Sequence, residues 1–373
     1  MPLNAGADGV GGAVCFTNLA DVKLDRSNAD LLWLTDGPTV RTASISSRKV
    51  VTVAGNPSSG GTTDGPALGA RFGTAGLGVA PDPAAPLVFV ADASNHRVRV
   101  LNLSSGFVST FAGPAGATVT PGNTDGPAAA ARFTLPTNVE APGGGALGIT
   151  LFISHTPNVR VLWAANGSVT SIGGASAGCA DGVGGAALFR LAAGLAWSEA
   201  TLTLFVSDSN NFIMRAAAWV GGAWRVTTLA GACNNPWLTA NGWGPAALFA
   251  NPVGAALDGA GNVWTVQQRS AVRITPGGWA SVVAGAGGSE GTNGDASYAT
   301  LFFPRAIAVR GSGQNAFIAD TRLLRWLACP GGPAPAPSGT PSPAPPSPTA
   351  PPAAACGAPA CAAALSLFSS ESP

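Results

Sequence analysis

The chain has 373 residues, which is enough for two or three ordinary domains or for one large repeat domain. Its formal charge is +1, only 10% of its residues are charged, and its two lysines stand alone at positions 23 and 49. Because no basic stretch could neutralise phosphates, the sequence argues against nucleic acid as a partner.

The first ten residues, MPLNAGADGV, lack the charged segment and the apolar run of a signal peptide, so none is predicted in this chain. No run of about 18 apolar residues follows either, and we expect no membrane span.

A ten-residue motif recurs along the chain. Its copies are ADGVGGAVCF (7–16), TDGPALGARF (63–72), TDGPAAAARF (124–133), ADGVGGAALF (180–189), ANGWGPAALF (240–249) and, more loosely, NGDASYATLF (293–302). The closing Phe residues are separated by 56, 61, 56, 60 and 53 positions. A period this long is nearer to one propeller blade with an added loop than to a solenoid unit.

Four short apolar segments lie between successive Phe residues. In the second repeat they are LGVA (77–80), LVFVAD (87–92), HRVRVLNL (96–103) and FVSTFAG (107–113). They are rich in β-branched and aromatic residues and are bounded by Gly, Pro, Asn and Asp, which is typical of strands. Six units of four antiparallel strands predict an all-β, six-bladed β-propeller over residues 1–329.

Within this fold the motif is predicted to connect the outer strand of one blade to the inner strand of the next. Asp-Gly suits a turn, and the Phe is expected to pack between neighbouring blades. A calcium or anion site built from the Asp residues is the alternative that we keep.

The stretch VFVADASNHRVRVL (88–101) resembles an NHL repeat, named for its Asn-His-Leu sequence. Here Asn95 and His96 are followed by Arg97, a common variant of the triplet, whereas the other copies are degenerate. The resemblance covers residues 1–329 and implies a propeller of NHL type. Because NHL propellers serve as binding platforms, sensor domains and in some cases enzymes, the resemblance implies no single activity.

The two ends depart from a closed ring. The sixth blade stops after its third strand, RLLRWLA (322–328), and neither end offers a convincing fourth strand. We therefore expect the propeller to be truncated at its N-terminus, with a ring closed by a three-stranded blade as the alternative. Residues 330–355 are predicted to be a disordered linker rich in Pro, Ala and Ser, and 356–373 an unstructured tail.

Six cysteines permit disulfides without requiring them. Cys179 with Cys233 and Cys15 with Cys329 are the candidate pairs in an oxidising compartment, but buried free thiols are the expectation we prefer. Two glycosylation sequons, at Asn102 and Asn166, and the Pro-rich stalk favour an extracellular or cell-surface location.

No catalytic residue is predicted. The glycine patterns at 143–148, 174–178 and 287–291 fall in loops of a β protein and lack the strand-turn-helix context of a nucleotide loop or a nucleophile elbow. His96 is predicted to be a turn residue. His155 occupies the position of Asp36, Asp92, Asp208 and Asp320, which we expect to cap the turn after the second strand.

Propellers of the gluconolactonase type hold a divalent cation on the axis through Glu, Asp and Asn. Similarity to that type would assign the cation to residues at or near the first strands, namely Asn18, Asn138, Glu140, Asn251 and Asp258. No other cofactor is expected. The function that we prefer is a non-catalytic binding or scaffold module that presents propeller loops to a protein or glycan partner. The alternative is a metal-dependent lactonase or lyase.

Overall fold

The computed structural model describes residues 6–74, 76–116, 120–143, 145, 147–235, 237–285, 300–311, 313 and 315–328, and the backbone of 366–367. These residues form six antiparallel sheets, and the first long strand of each sheet contacts the first long strands of its two neighbours in a closed ring. The predicted all-β, six-bladed propeller is therefore confirmed. No helix within the described ranges is long and apolar enough to cross a membrane.

Each sheet is one blade, and its strands follow one another from the axis outward. Blade 1 contains β2 (Leu19–Leu24), β3 (Leu31–Asp36), β4 (Thr39–Ser44), β5 (Lys49–Gly55) and the rim strand β1 (Gly9–Val10). Blade 2 contains β7 (Leu77–Pro81), β8 (Leu87–Asp92), β9 (Arg97–Asn102), β10 (Phe107–Ala112) and the rim strand β6 (Gly65–Pro66). Blade 3 contains β12 (Asn138–Glu140), β13 (Ile149–His155), β14 (Asn158–Trp163), β15 (Ser168–Ser171) and the rim strand β11 (Gly126–Pro127).

The other half of the ring follows the same plan. Blade 4 contains β17 (Ala192–Ser198), β18 (Thr203–Asp208), β19 (Ile213–Val220), β20 (Ala223–Gly231) and the rim strand β16 (Gly182–Val183). Blade 5 contains β22 (Ala256–Leu257), β23 (Val263–Gln267), β24 (Ser270–Ile274), β25 (Trp279–Ala284) and the rim strand β21 (Gly242–Trp243). Blade 6 contains β26 (Pro304–Arg310), β27 (Asn315–Asp320), β28 (Leu323–Ala328) and β29 (Ser366–Leu367). One-turn 3₁₀ helices span Gly11–Ala13, Ala93–Asn95, Gly184–Ala186, Ser209–Asn211 and Gly244–Ala246.

The recurrent motif adds the rim strand and then returns to the axis. In blade 2, Gly65 pairs with Val108 and Pro66 with Phe107, so the dipeptide after the Asp extends the sheet beyond β10. Gly65 has φ +149°, a conformation that side chains disfavour. A proline at the outer position cannot donate a further ladder hydrogen bond, which blocks pairing with another chain.

The motif Phe lies between two blades, as predicted. Phe133 is fully buried among residues of blade 2, such as Phe89 and Val98, and of blade 3, such as Val139 and Leu151. Equivalent clusters fill the other five interfaces, and the one around Phe16 joins blade 1 to Phe317 and Leu324 of blade 6. The ring is thus closed by apolar packing.

The last copy of the motif needs a correction. Leu301, not Phe302, is the fully buried residue between blades 5 and 6, whereas Phe302 is 44% exposed. The backbone N–H of Phe302 donates to Asp320, just as that of Gly73, the residue after Phe72, donates to Asp92. The equivalent position is therefore one residue earlier than predicted.

In blades 1 to 4 a buried arginine ties the motif to its blade. In blade 2, Arg99 donates to Asp64 of the motif and to Asp92 at the end of β8, and its guanidinium lies 5.3 Å from the centre of the Phe72 ring. Arg41 and Arg215 make the same contacts in blades 1 and 4. The motif Asp is thus one partner of a buried ion-pair cluster that holds the inter-blade connection.

Blade 5 keeps this arrangement without any of its charges. Asn241 replaces the motif Asp, Gln267 replaces the Asp at the strand end, and Val272 stands at the register position of the arginine. Asn241 still accepts the N–H of Val282, and Gln267 still accepts that of Ala250. The backbone contacts therefore survive while all three charged groups are lost together.

Blade 3 is intermediate. His155 takes the place of the strand-end Asp and accepts the N–H of Thr134 through Nδ1 at 2.7 Å, as the prediction of a turn cap requires. Burial and the nearby Arg160 lower the pKa of His155 to about 4, so the imidazole is neutral at physiological pH. Arg160 retains only Asp125 as an acidic partner.

The structure describes the C-terminal end only in part, and it corrects one expectation about the thiols. Ser366–Leu367 pairs with Trp326 and Arg325 of β28, and the rest of the tail at 356–373 lies outside the described residues. The linker at 330–355 lies outside the described residues. Cys179 and Cys233 are not free thiols but form a disulfide between the connections into blades 4 and 5. Cys15 is a free, half-buried thiol, and its proposed partner Cys329 lies outside the described ranges.

Candidate functional site: the axial channel

The channel on the propeller axis is lined unequally by the six blades. Blades 1 and 3 bring polar side chains to it, whereas the inner strands of the other four blades carry Gly and Ala at the corresponding positions. The small residues allow close approach of backbones: a Cβ on Gly78 would lie 2.7 Å from Cα of Asn138, and one on Gly194 would lie 2.5 Å from the nitrogen of Ala255. The polar chemistry of the axis therefore comes from two blades.

Asp21 is the most deeply placed of these polar groups. Its carboxylate accepts the N–H of Val22 and of Val79, both at 2.9 Å, and the Nδ2 of Asn138 at 3.0 Å. Burial raises the pKa of Asp21 to about 6, although Lys23 and the two backbone N–H groups oppose the shift. Asp21 thus links blades 1, 2 and 3 across the channel.

A second polar link lies further along the axis. Lys23 Nζ donates to Glu140 Oε2 at 2.8 Å and to the carbonyl of Leu195 at 3.0 Å, and Arg26 donates to Glu140 Oε1 at 2.5 Å. Burial alone would raise the pKa of Glu140, but Lys23 and Arg26 outweigh it and the pKa is lowered. Glu140 is therefore a carboxylate held by two cations from blade 1.

Asn138 and Glu140, two of the residues predicted as axial cation ligands, do line the channel. Asn138 donates to Asp21 through Nδ2, and its buried Oδ1 has no hydrogen-bond partner among the described residues. The Oδ1 of Asn251 is also buried without such a partner, and Asn251 has φ +61°. Asn18 is half-buried at the start of β2.

Asp258, the fifth predicted ligand, caps the hairpin that follows β22. Its Oδ1 accepts the N–H of Ala260 and of Asn262, and its Oδ2 accepts Asn262 Nδ2 and Trp264 Nε1. Four donors occupy the acceptor sites that a carboxylate offers. Asp25 has a similar role in blade 1, where it accepts two backbone N–H groups and Trp33 Nε1.

The described residues contain no group of three or more His, Cys, Asp or Glu side chains that could hold a metal ion. The two histidines are apart from the axis chemistry: His155 caps the end of β13, and His96 accepts the N–H of Leu135 in an inter-blade connection. The polar side chains on the axis instead bind one another.

An open cavity of about 470 Å³ lies where the six inner strands end. Lys23, Arg26 and Glu140 form one side of it. The remaining wall combines the polar residues Ser198, Glu199 and Asp258 with apolar ones, which include Ala141, Trp197, Ala256, Leu257, Ala308 and Val309. A pocket of this size suits a small molecule with both polar and apolar parts, and the sequence did not indicate it because its walls come from all six blades.

The opposite face of the ring exposes large apolar side chains. Phe302 and Phe303 are 44% and 52% exposed with ring centres 4.7 Å apart, and Trp237 is 54% exposed against Phe212. Leu135 and Leu238 are also exposed on these inter-blade connections. Large exposed aromatic residues of this kind are common in binding surfaces.

Solved structures with similar folds are numerous. An auxiliary nutrient binding protein from Bacteroides thetaiotaomicron has 14% identity and a TM-score of 0.60, covering 85% of this chain and 71% of that one. A protein of unknown function from the same species has 18% identity and a TM-score of 0.58, covering 85% and 70%. A gluconolactonase from Xanthomonas campestris has 13% identity and a TM-score of 0.51, covering 82% and 84%.

These similarities show the fold, a six-bladed β-propeller, and nothing finer. No protein-family model matches the sequence, and no curated protein sequence matches it either.

Proposed function

We propose that the chain is a non-catalytic binding module whose inter-blade connections contact a protein or glycan partner. The observation that carries this proposal is the state of the axial polar groups: Asp21 is paired with Asn138, and Glu140 with Lys23 and Arg26. Side chains that are hydrogen-bonded or ion-paired to one another hold the blades together, and this pairing favours a structural role over acid-base or nucleophilic work.

The exposed face supplies the binding surface in this proposal. The backbone N–H groups of Phe302 and Phe303 donate to the carboxylate of Asp320, which fixes the position of both exposed rings. Leucine side chains beside the aromatic ones favour a protein partner, since sugars stack on rings and gain little from leucine. The Cys179–Cys233 disulfide and the two sequons support an extracellular or cell-surface location, and NHL kinship remains part of the proposal.

Binding is tested with the full chain on a glycan microarray and on a displayed peptide library. We expect ligands that the double variant Phe302→Ser/Phe303→Ser loses. Val220→Ser, which removes an equally exposed apolar side chain from the outer hairpin of blade 4, is the matched control and should retain them. Equal loss in both variants, or no ligand on either array, would contradict the proposal.

A metal-dependent lactonase or lyase is the second candidate, and one observation favours it. The buried Oδ1 atoms of Asn138 and Asn251 lack partners among the described residues, and amide oxygens are ligands for hard divalent cations. These two residues would supply amide oxygens to the cation, whose charge would polarise a substrate carbonyl.

Elemental analysis separates the two candidates. The binding proposal predicts no stoichiometric metal and no lactone hydrolysis. One equivalent of metal that is lost in Asn138→Ala, and retained in Asn102→Ala, would establish the second candidate instead. Asp258→Ala should lower thermal stability without changing the metal content, because its carboxylate is filled by four donors.

A further inference from the structure

The cavity at the ends of the inner strands is a site separate from the connection face. Its walls are residues at or beyond the last positions of these strands, such as Arg26, Ala141 and Leu257, whereas Phe302 and Phe303 precede the first residue of β26. All inner strands run in the same direction along the axis, so the two sites lie at opposite ends of the channel.

The polar side of the cavity carries donors in excess. Lys23 has three N–H groups, of which two are used by Glu140 and Leu195. Arg26 has five, and it donates to Glu140 at 2.5 Å and to the carbonyl of Ala141 at 3.5 Å while 46% of its side chain remains exposed. Two cations share one carboxylate, so this side has a local charge of +1 and spare N–H groups.

The acidic residues elsewhere in the lining are already engaged. Asp258 accepts four donors, and Glu199 Oε2 accepts Trp197 Nε1 at 2.7 Å. Hydrogen bonds from neutral donors leave these two carboxylates charged, so they repel an anion, and an anionic group on a ligand is favoured only beside Arg26 and Lys23. The acceptor must therefore come from the ligand.

The rest of the wall sets the shape of the ligand. Alanines at positions 141, 196, 255, 256 and 308 leave a smooth apolar surface that has room for a ring-sized body. Apolar area removed from water contributes to binding there, while the charge contributes only at the blade 1 side.

We propose that this cavity binds a small carboxylate with a compact apolar body, the carboxylate at Arg26 and Lys23 and the body against the alanine wall. The proposal goes beyond partner binding on the connection face and is independent of it.

Fluorescent probes with one naphthalene ring test the charge requirement on the full chain. Naphthoate should bind about ten-fold more tightly than naphthylmethanol, and naphthylmethylamine should bind more weakly still. Fluorescence titration gives the three Kd values. An amine that binds as tightly as the carboxylate, or no binding by any probe, would overturn the proposal.

Two variants test the position. Arg26→Gln should weaken naphthoate about ten-fold and leave naphthylmethanol unchanged, because Lys23 still neutralises Glu140 and the fold is kept. Ala256→Leu adds a larger side chain to the wall and reduces the cavity volume, so it should weaken the binding of both probes. The control Arg225→Gln removes an exposed arginine from the outer strand of blade 4 and should change neither. Naphthoate affinity that survives Arg26→Gln or Ala256→Leu would place the probe elsewhere. Failure of the cavity proposal leaves the Phe302/Phe303 result unaffected, so the two proposals fail separately.

Discussion

Blades 2 and 5 share a backbone plan but solve the same problem with opposite chemistry. Blade 2 holds its connection with Arg99 between two acids, Asp64 and Asp92, while blade 5 uses Asn241 and Gln267 around Val272. A buried charge without a partner is costly, so the members of such a set must change together. The three positions are therefore constrained as one set. The hydrogen bond from a backbone N–H of the connection to the strand-end side chain is present in all six blades.

Removal of one member of the charged set in blade 2 is expected to have the largest effect on stability. Arg99→Val should leave Asp92 buried without a cation and cost about 3–5 kcal/mol in the free energy of unfolding. The triple variant Arg99→Val/Asp92→Gln/Asp64→Asn copies blade 5 and should recover most of this loss. Urea denaturation measures both. Arg225→Val, at an exposed site, is the control and should change stability by less than about 0.5 kcal/mol.

The converse change applies to blade 5. Val272→Arg should place a guanidinium at a buried site where the two aligned polar residues, Asn241 and Gln267, are uncharged, and should cost about 3 kcal/mol or more. Adding Asn241→Asp and Gln267→Asp should restore stability in part. If the single variant were as stable as the parent protein, buried charge would not be what couples these positions.

In blade 3 the strand-end residue is His155, and its pKa predicts that stability depends on pH. The pKa of His155 falls from 6.5 to about 4 through burial and the proximity of Arg160. The unfolded chain therefore binds more protons at this residue between these values, and His155 by itself should lower the free energy of unfolding by about 3 kcal/mol as pH falls from 6.5 to 4. Changing His155→Asp, which copies blade 2, should abolish this loss.

Asp21 opposes that effect in the same pH window. Burial raises its pKa from 3.8 to about 6, so the folded state binds the extra proton, and the contribution is fully present below pH 3.8 and lost as pH rises through 6. The two groups should nearly cancel in the parent protein. Asp21→Asn should reveal the full acid loss of His155, whereas His155→Asp should give a protein stabilised by acid. Thermal denaturation at pH 4, 5, 6 and 7 checks the two signs.

The smallest expected effect concerns the residue between blades. Leu301 occupies in blade 6 the position that Phe72 has in blade 2. In blade 2 the guanidinium of Arg99 also lies 5.3 Å from the centre of the Phe72 ring. Phe72→Leu should cost about 1–2 kcal/mol through lost volume and the lost cation–π contact. Leu135→Ala, at an exposed position on a connection, is the control. A cost near that of Arg99→Val would mean that the ring, not the ion pairs, carries the cluster.

The fold could be predicted from the sequence because its strongest signal is local. The Asp-Gly turn and the Phe eight residues later lie on one continuous segment, so spacing alone locates each interface. The same spacing, counted from Asn293, leads to Leu301, which is the buried residue. The prediction of Phe302 followed the aromatic side chain and not the spacing, and it was one residue too late.

The channel was predictable only in part. Asn138 and Glu140 were placed on an inner strand by the strand pattern, but their partners Asp21, Lys23 and Arg26 lie 114 to 117 residues away, a distance that only ring closure brings together. For Asp258, predicted as an axial ligand, the signal of a hairpin cap is local: Asn262 and Trp264, which donate to its carboxylate, follow it by four and six residues. Asp25 and Trp33, in the first repeat, carry a related local signal.

The interface between blades 6 and 1 joins the first and last blades of the described ring, and side chains such as Phe16, Phe317 and Leu324 fill it. Phe317 and Leu324, which pack on Phe16 in this interface, are synthesised after the five preceding blades. Until then the blade 1 side of this cluster lacks these apolar neighbours, and transiently exposed apolar surface is a site for chaperone binding.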